Sequence, residues 1–162
     1  MIFHASIPAD DPLRVARVLA ELWRGEYYPF LLPRTFIVFA GDDRGSELEV
    51  APRGHELMAA PEQVGWHINE HPSPYNEVHL NIATPLSGDE VSTIAAREQW
   101  LARVCDRGGA FKVIEFWLEN KFMLELMTAQ EYERYRSTVT PAFWRSVLAS
   151  LGTAHSSAVN TA

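Results

Sequence analysis

The sequence has little of what marks secreted, membrane or nucleic-acid-binding proteins. It contains a single cysteine, Cys105, so it cannot form an internal disulfide, and this fits a reducing compartment. No apolar run approaches the ~20 residues of a membrane-spanning helix, and the basic and apolar regions of a signal peptide are missing from the start. Lys and Arg total 14 against 21 Asp and Glu, which disfavours nucleic acid and anionic membranes as partners. We therefore expect a cytoplasmic protein that binds neither.

The rest of the composition is that of an ordinary globular protein. Hydrophobic residues make up 47% and charged residues 22% of the 162 positions. A chain of this kind can bury a core without disulfides. Its length predicts one domain, or two small modules that share a core.

Two strand-like stretches, one in each half, carry nearly the same pattern. His4 begins His-Ala-Ser-Ile, and His79 begins His-Leu-Asn-Ile. Each is followed by a helical pattern and then by a strand with a Leu-Glu-aliphatic step, which contains Glu49 in the first half and Glu125 in the second. Glu49 follows His4 by 45 positions, and Glu125 follows His79 by 46. Self-similarity of this kind indicates two copies of one supersecondary unit.

The first half is predicted to contain a strand, a helix and three further strands. Asp11 and Pro12 are typical of a helix N-terminus, and Gly25 is typical of a helix end. The predicted strands are 2–7, 27–32, 35–40 and 46–50, which gives a βαβββ module over residues 1–52. Four prolines between Pro52 and Asn76 then predict a connector over residues 53–76.

The second half starts again at Glu77. Its predicted elements are a strand at 77–82, a helix from Asp89 to about Arg107 that includes Cys105, and two strands at 111–119 and 122–127. A fourth strand is not visible, but the repeat predicts a second βαβββ module over residues 77–128. A C-terminal helix at 129–152, interrupted at Thr140-Pro141, follows it, and residues 153–162 are predicted to be a disordered tail.

We therefore predict an α+β fold in which two βαβββ modules form a curved mixed sheet around a central cavity, with an added C-terminal helix. Strand alternation places His4, Glu49, His79 and Glu125 opposite the apolar faces that helices must cover. If these four side chains converge, they form a site for a divalent transition metal. Two imidazoles and two carboxylates suit Zn, Ni, Fe, Mn or Co alike.

The order of the units, the duplication, and the His and Glu on the first and last strands of each unit resemble the vicinal oxygen chelate superfamily. This superfamily includes glyoxalase I, extradiol dioxygenases, fosfomycin-resistance enzymes and bleomycin-binding proteins. The resemblance covers residues 2–128 and implies that His4, Glu49, His79 and Glu125 are metal ligands. Glyoxalase-type members use all four positions, whereas the dioxygenases and fosfomycin enzymes use those of His4, His79 and Glu125. The presence of Glu49 therefore favours the glyoxalase type.

The resemblance implies a metal-dependent lyase or isomerase that acts on a small substrate with two neighbouring oxygens, with Glu49 or Glu125 as the proton carrier. Two alternatives stay open. One is an extradiol-type dioxygenase, and the other is a non-catalytic protein of the same fold that binds a small aromatic or antibiotic-like molecule. Aromatic residues of the last helix, among them Tyr132 and Trp144, make a homodimer a further prediction.

Some ligand-type residues have simpler interpretations. Glu47 lies on the same strand face as Glu49, so a shift in register would exchange the two. Glu115 is a candidate for a second base or a pocket acid, but a surface carboxylate is the simpler interpretation. His67 and His71 have the spacing of helical metal ligands. The neighbouring prolines oppose a helix there, so we assign them to the connector.

Overall fold

The computed structural model describes residues 3–62 and 64–150. These residues form both helices and mainly antiparallel strands, as the α+β prediction requires. In chain order the elements are β1 (His4–Ala9), α1 (Pro12–Trp23), β2 (Glu26–Pro29), β3 (Phe36–Phe39), β4 (Glu47–Pro52), β5 (His55–Met58), β6 (Gly65–Ile68), β7 (Leu80–Ala83), α2 (Gly88–Glu98), β8 (Ala102–Asp106), β9 (Lys112–Leu118), β10 (Phe122–Met127), α3 (Ala129–Thr138) and α4 (Pro141–Ser150).

Two four-stranded mixed sheets form the framework, and they have the same topology. The first has the strand order β1-β4-β3-β2, and the second has the order β7-β10-β9-β8. In each sheet the first and last strands of the module pair in parallel, whereas the other pairs are antiparallel. The predicted α+β fold with two repeated βαβββ units is therefore confirmed.

Both helices of the modules begin at side-chain caps that the sequence encodes. The carboxylate of Asp11 accepts a hydrogen bond from the Arg14 backbone N–H at 3.1 Å, and Pro12 follows as the first helical residue. In α2 a capping box links Ser87 and Glu90, because each side chain accepts from the other residue's backbone N–H. These caps fix where the chain leaves β1 and β7, and so where each helix crosses its sheet.

The two modules share one hydrophobic core. Buried residues of α1, α2 and both sheets belong to one cluster, and Leu19 and Phe116 are among its fully buried side chains. Polar contacts join the modules at the edge of this core. The Trp23 indole donates to the Ala83 carbonyl at 3.1 Å, and Arg14 forms an ion pair with Glu98 at 2.7 Å. Because the helices lie on the core side, the opposite face of each sheet is left open.

The predicted helix from Asp89 to about Arg107 is wrong in its second half. The helix ends at Glu98, where Gln99 adopts a left-handed conformation with φ of 60°. Residues 102–106 then form β8, which is the fourth strand that the sequence did not reveal. Cys105 therefore lies on a strand and not in a helix.

The connector between the modules contains regular structure of its own. Strands β5 and β6 pair as an antiparallel hairpin, with Leu57 opposite Trp66. Gly54 precedes the hairpin with a φ of +91°, and its carbonyl accepts from the Asn69 backbone N–H at 2.8 Å. The hairpin is thus closed at its base by a backbone hydrogen bond.

Two short helices, α3 and α4, follow the second module where the sequence predicts one interrupted helix. They separate around Val139, Thr140 and Pro141. Of the side chains that the structure describes in these helices, none is buried. No helix among residues 3–62 and 64–150 is long and apolar enough to cross a membrane. The predicted tail at 153–162 lies outside the described residues.

Candidate functional site

The open faces of the two sheets carry matching rows of side chains. In the first sheet the row runs across the strands as Ser6, Glu49, Ile37 and Tyr28, each opposite the next in the strand register. In the second sheet the same row is Asn81, Glu125, Glu115 and Arg103. Both predicted glutamates therefore occupy the same position in their modules.

Each of these glutamates is held by the polar residue of the neighbouring parallel strand. The Ser6 hydroxyl donates to Glu49 Oε2 at 2.7 Å, and the Asn81 amide donates to Glu125 Oε2 at 3.1 Å. These hydrogen bonds fix one oxygen of each carboxylate. Because Ser6 and Asn81 come two residues after His4 and His79, all four predicted site residues project from the open faces.

Each histidine lies beside a glutamate, but the two glutamates occupy different positions in their modules. Nδ1 of His4 lies 3.6 Å from Glu47, which is opposite it in the register, and not beside Glu49. His79 lies just before β7, and its Nε2 is 3.9 Å from Glu125 Oε2. About half of each imidazole is exposed, with side-chain values of 53% and 52%. The structure therefore brings together His79 and Glu125, and His4 and Glu47.

A complete metal centre is not assembled within the part of one chain that the structure describes. Those residues contain no group of three or more His, Cys, Asp or Glu side chains close enough to hold an ion. His4 and His79 line one cavity of about 900 Å³, together with Glu47 and Asn81, whereas Glu49 lines a different one. The residue types suit a transition metal, but one chain by itself supplies only His–Glu pairs.

Glu115 is the functional-type residue whose environment the sequence does not reveal. Its side chain is 9% exposed, and it accepts hydrogen bonds from Arg103 at 2.7 Å and from Arg107 at 3.0 Å. Burial would raise the pKa of the Glu115 carboxyl, but the hydrogen bonds from the two guanidinium groups outweigh it and lower this pKa below its usual value. Arg107 also pairs with Glu125. Arg103 and Arg107 could have been recognised had β8 been predicted as a strand.

The remaining candidates lie outside this site. His67 is an exposed residue of the hairpin, opposite Glu56, and His71 is exposed in the loop that follows. Neither belongs to a group of three or more ligand-type side chains among the described residues. Cys105 is half-buried on β8, opposite Val113 of β9.

Several solved structures resemble this chain. A mutant of the fosfomycin resistance protein FosX from Listeria monocytogenes, in complex with Mn(II) and 1S,2S-dihydroxypropylphosphonic acid, is 13% identical, with a TM-score of 0.54 over 84% of this chain and 97% of that chain. The lactoylglutathione lyase of Agrobacterium tumefaciens is 11% identical, with a TM-score of 0.54 over 80% of this chain and 94% of that chain. FosX from Mesorhizobium loti is 16% identical, with a TM-score of 0.51 over 84% of this chain and 97% of that chain.

No protein-family model matches the sequence, and no curated protein matches it. At the identities of the solved structures the likeness concerns the fold. These neighbours are glyoxalase and fosfomycin-resistance proteins of one superfamily. The fold that the resemblance implies is therefore confirmed: the chain has the fold of these lactoylglutathione lyase and fosfomycin-resistance proteins.

Proposed function

We propose that the protein is a metal-dependent lyase or isomerase of glyoxalase type that acts on a small substrate with two neighbouring oxygens. The observation that carries this proposal is the repeated register on the open faces. In both modules a histidine precedes, by two residues, the side chain that hydrogen-bonds the glutamate of the parallel strand. Neither sheet needs this polar row for its core. Its presence in both modules supports a shared role for the four residues.

We propose further that the metal centre forms between two copies of the chain. The described residues of one copy supply His–Glu pairs but no complete ligand set. The open face of each sheet bears half-exposed imidazoles that a second copy can reach. In a homodimer, His4 and Glu49 of one copy would face His79 and Glu125 of the other. Two such centres would then form per dimer.

A divalent transition metal at this position, whether Zn, Ni, Fe, Mn or Co, would stabilise negative charge on the two substrate oxygens. The two glutamates differ in their hydrogen bonds, and this difference suggests a separate role for each. Glu49 has one carboxylate oxygen bonded to Ser6, and its sheet neighbour Ile37 offers it no charge. Glu125 has both oxygens engaged, one by Arg107 and the other by Asn81.

This difference supports Glu49 as the group that takes a proton from the substrate carbon and returns it. A proton carrier that works from the coordination shell needs an oxygen that no protein donor occupies, and Glu49 keeps one. Glu125 is better suited to orienting the site, because its charge is already balanced by a guanidinium. The proposed reaction is therefore a proton transfer next to a carbonyl or hydroxyl carbon.

Metal content is the measurement that tests this proposal. We expect purified wild-type protein to bind close to one transition metal ion per chain. His79→Ala, Glu125→Gln and Glu49→Gln should each lose it, because each removes a ligand. Glu70→Gln is the control, since Glu70 is an exposed acid that lines neither cavity. Unchanged metal content in both His79→Ala and Glu125→Gln would refute the site, and a monomer in size-exclusion chromatography would refute the shared centre.

A non-catalytic ligand-binding protein is the second candidate. The pairing of Arg107 with Glu125 favours it, because this guanidinium already neutralises a carboxylate that a metal would otherwise bind. In that case the native protein would contain no transition metal and would still bind a small molecule. The metal analysis therefore separates the two candidates.

A further inference from the structure

The connector hairpin covers part of the open face of the first sheet and encloses a second cavity. This cavity has a volume of about 310 Å³ and lies apart from the one that His4 and His79 line. Its floor includes Ser6 and Glu49, and its roof includes the cross-strand pair Leu57 and Trp66. The volume falls at the low end of the range for small-molecule pockets, roughly 300–1,000 Å³.

A buried arginine lines this cavity without a full set of partners. The side chain of Arg53 is only 8% exposed, and its Nε donates to Asp10 at 2.7 Å. Its Nη2 is buried and has no hydrogen-bond partner among the residues that the structure describes. Asp10 is also paired with Lys121, so two cations share one carboxylate at this end. A buried guanidinium N–H without an acceptor is costly, and an anionic oxygen would remove that cost.

We propose that this cavity binds a small organic carboxylate with an apolar or aromatic body, whose carboxylate accepts a hydrogen bond from Nη2 of Arg53. The carboxylate matches the buried Nη2 of Arg53, which has no acceptor among the described residues. The apolar body matches the Leu57 and Trp66 side chains of the roof, which are exposed in the free protein at 59% and 43%.

The far end of the cavity adds a second requirement. Glu49 lies four residues before Arg53 along the chain, which corresponds to roughly 13 Å in an extended strand. Its carboxylate and that of Glu56, which also lines the cavity, repel an anion, so the acidic end of the ligand has one orientation, towards Arg53. A ligand group near Glu49 must instead be neutral or a hydrogen-bond donor. The cavity therefore selects a molecule with an acid at one end only.

This inference does not rest on the proposed metal chemistry, although Glu49 takes part in both. Arg53, Leu57 and Trp66 are not among the proposed metal ligands. Binding at Arg53 should therefore persist in protein from which metal has been stripped. The test therefore uses EDTA-treated protein. Metal content then reports on the proposed metal centre, and ligand binding to the metal-free protein reports on this pocket.

Calorimetric titration with 3-phenylpropionate and with its neutral amide, 3-phenylpropionamide, tests the proposal. We expect wild-type protein to bind the carboxylate at least about tenfold more tightly than the amide, which is the lower bound for one hydrogen bond to a charged group. Arg53→Met should abolish that preference, because it weakens binding of the carboxylate more than binding of the amide. Asp10 keeps its pairing with Lys121 in this variant, so the change leaves no unpaired carboxylate.

Trp66→Ala should weaken binding of both ligands, because it removes an apolar wall. Ile68→Ala is its matched control, since Ile68 lies on the same face of the same strand and does not line the cavity. No measurable binding of 3-phenylpropionate, equal binding of acid and amide, or an acid preference that survives Arg53→Met would each overturn the proposal. If Arg53→Met does not fold, the acid-to-amide ratio in the wild type and the pair of hairpin variants still decide it.

Discussion

Replacing Glu115 by Gln tests whether the buried ion-pair network of the second sheet stabilises the fold. Glu115 accepts hydrogen bonds from Arg103 and Arg107, and its own side chain is 9% exposed. Gln has one carbonyl oxygen, so it can accept from only one of the two donors well, and its NH₂ group must face the other. The variant therefore replaces one ion-paired hydrogen bond by a weaker one from a guanidinium to an uncharged oxygen, and it loses the second.

The expected loss follows from typical hydrogen-bond energies. A hydrogen bond to a charged group contributes about 1.5–3 kcal/mol, and a neutral one contributes about 0.5–1.5 kcal/mol. The Arg103 side chain is 60% exposed, so solvent screens its contribution, which we set at no more than about 1 kcal/mol. Together these terms predict that Glu115→Gln lowers the free energy of unfolding by about 2 kcal/mol at pH 7. Glu70→Gln, at an exposed acid, is the control and should change it by less than about 0.5 kcal/mol.

The loss should also depend on pH with a defined sign. The pKa of Glu115 is lowered in the folded state, where the hydrogen bonds from Arg103 and Arg107 outweigh its burial. Its contribution is therefore fully present above the unfolded-state pKa of about 4.3 and is lost as the pH falls below that value through the folded-state pKa. Urea unfolding followed by circular dichroism should show the wild type and Glu115→Gln converging between pH 7 and pH 3. A difference that is absent at pH 7, or that persists unchanged at pH 3, would refute the reasoning.

Two further predictions concern residues that come directly before a secondary-structure element, Gly54 before β5 and Ser87 before α2. Gly54→Ala should destabilise the connector hairpin, because a Cβ there would lie 2.5 Å from the Asn69 carbonyl oxygen and the backbone would be strained at a φ of +91°. Gly45→Ala is the control, since Gly45 also has a positive φ but a Cβ there meets no atom within 4 Å. Faster amide exchange in the hairpin should therefore appear only in Gly54→Ala. Ser87→Ala removes the cap of α2 and should lower the free energy of unfolding by about 1 kcal/mol in urea titrations, whereas a cost near zero would mean that the capping box contributes nothing.

Local sequence signals correctly predicted the elements that depend on interactions between residues close together in the chain. The Asp11-Pro12 start of α1 and the alternation of β1 are visible because caps and strand alternation depend on adjacent positions. The fold class followed from the repeat, since two copies of one pattern need no knowledge of long-range contacts. The repeat thus predicted more than any single motif did.

The errors lie where tertiary contacts override local preference. Residues 99–107 continue the apolar spacing of α2, but Gln99 turns the chain and β8 then pairs with β9. Strand pairing is decided by a partner that is distant in sequence, so the segment alone could not reveal it. This error also affected the predicted site, because a helix that contains Arg103 and Arg107 gives no indication that both donate to Glu115.

The register also explains why two duplicated halves would do different work. In the second sheet the row beside Glu125 continues with Glu115 and Arg103, and in the first sheet the same positions beside Glu49 are Ile37 and Tyr28. The two sheets therefore share the glutamate and its polar neighbour, whereas the next two positions are charged in the second sheet and uncharged in the first. Glu49 keeps one carboxylate oxygen without a protein donor, whereas both oxygens of Glu125 are hydrogen-bonded, by Arg107 and Asn81. If the protein is an enzyme, this divergence assigns proton transfer to the first half and positioning to the second, so Glu49→Gln should abolish turnover while Arg107→Met only reduces it.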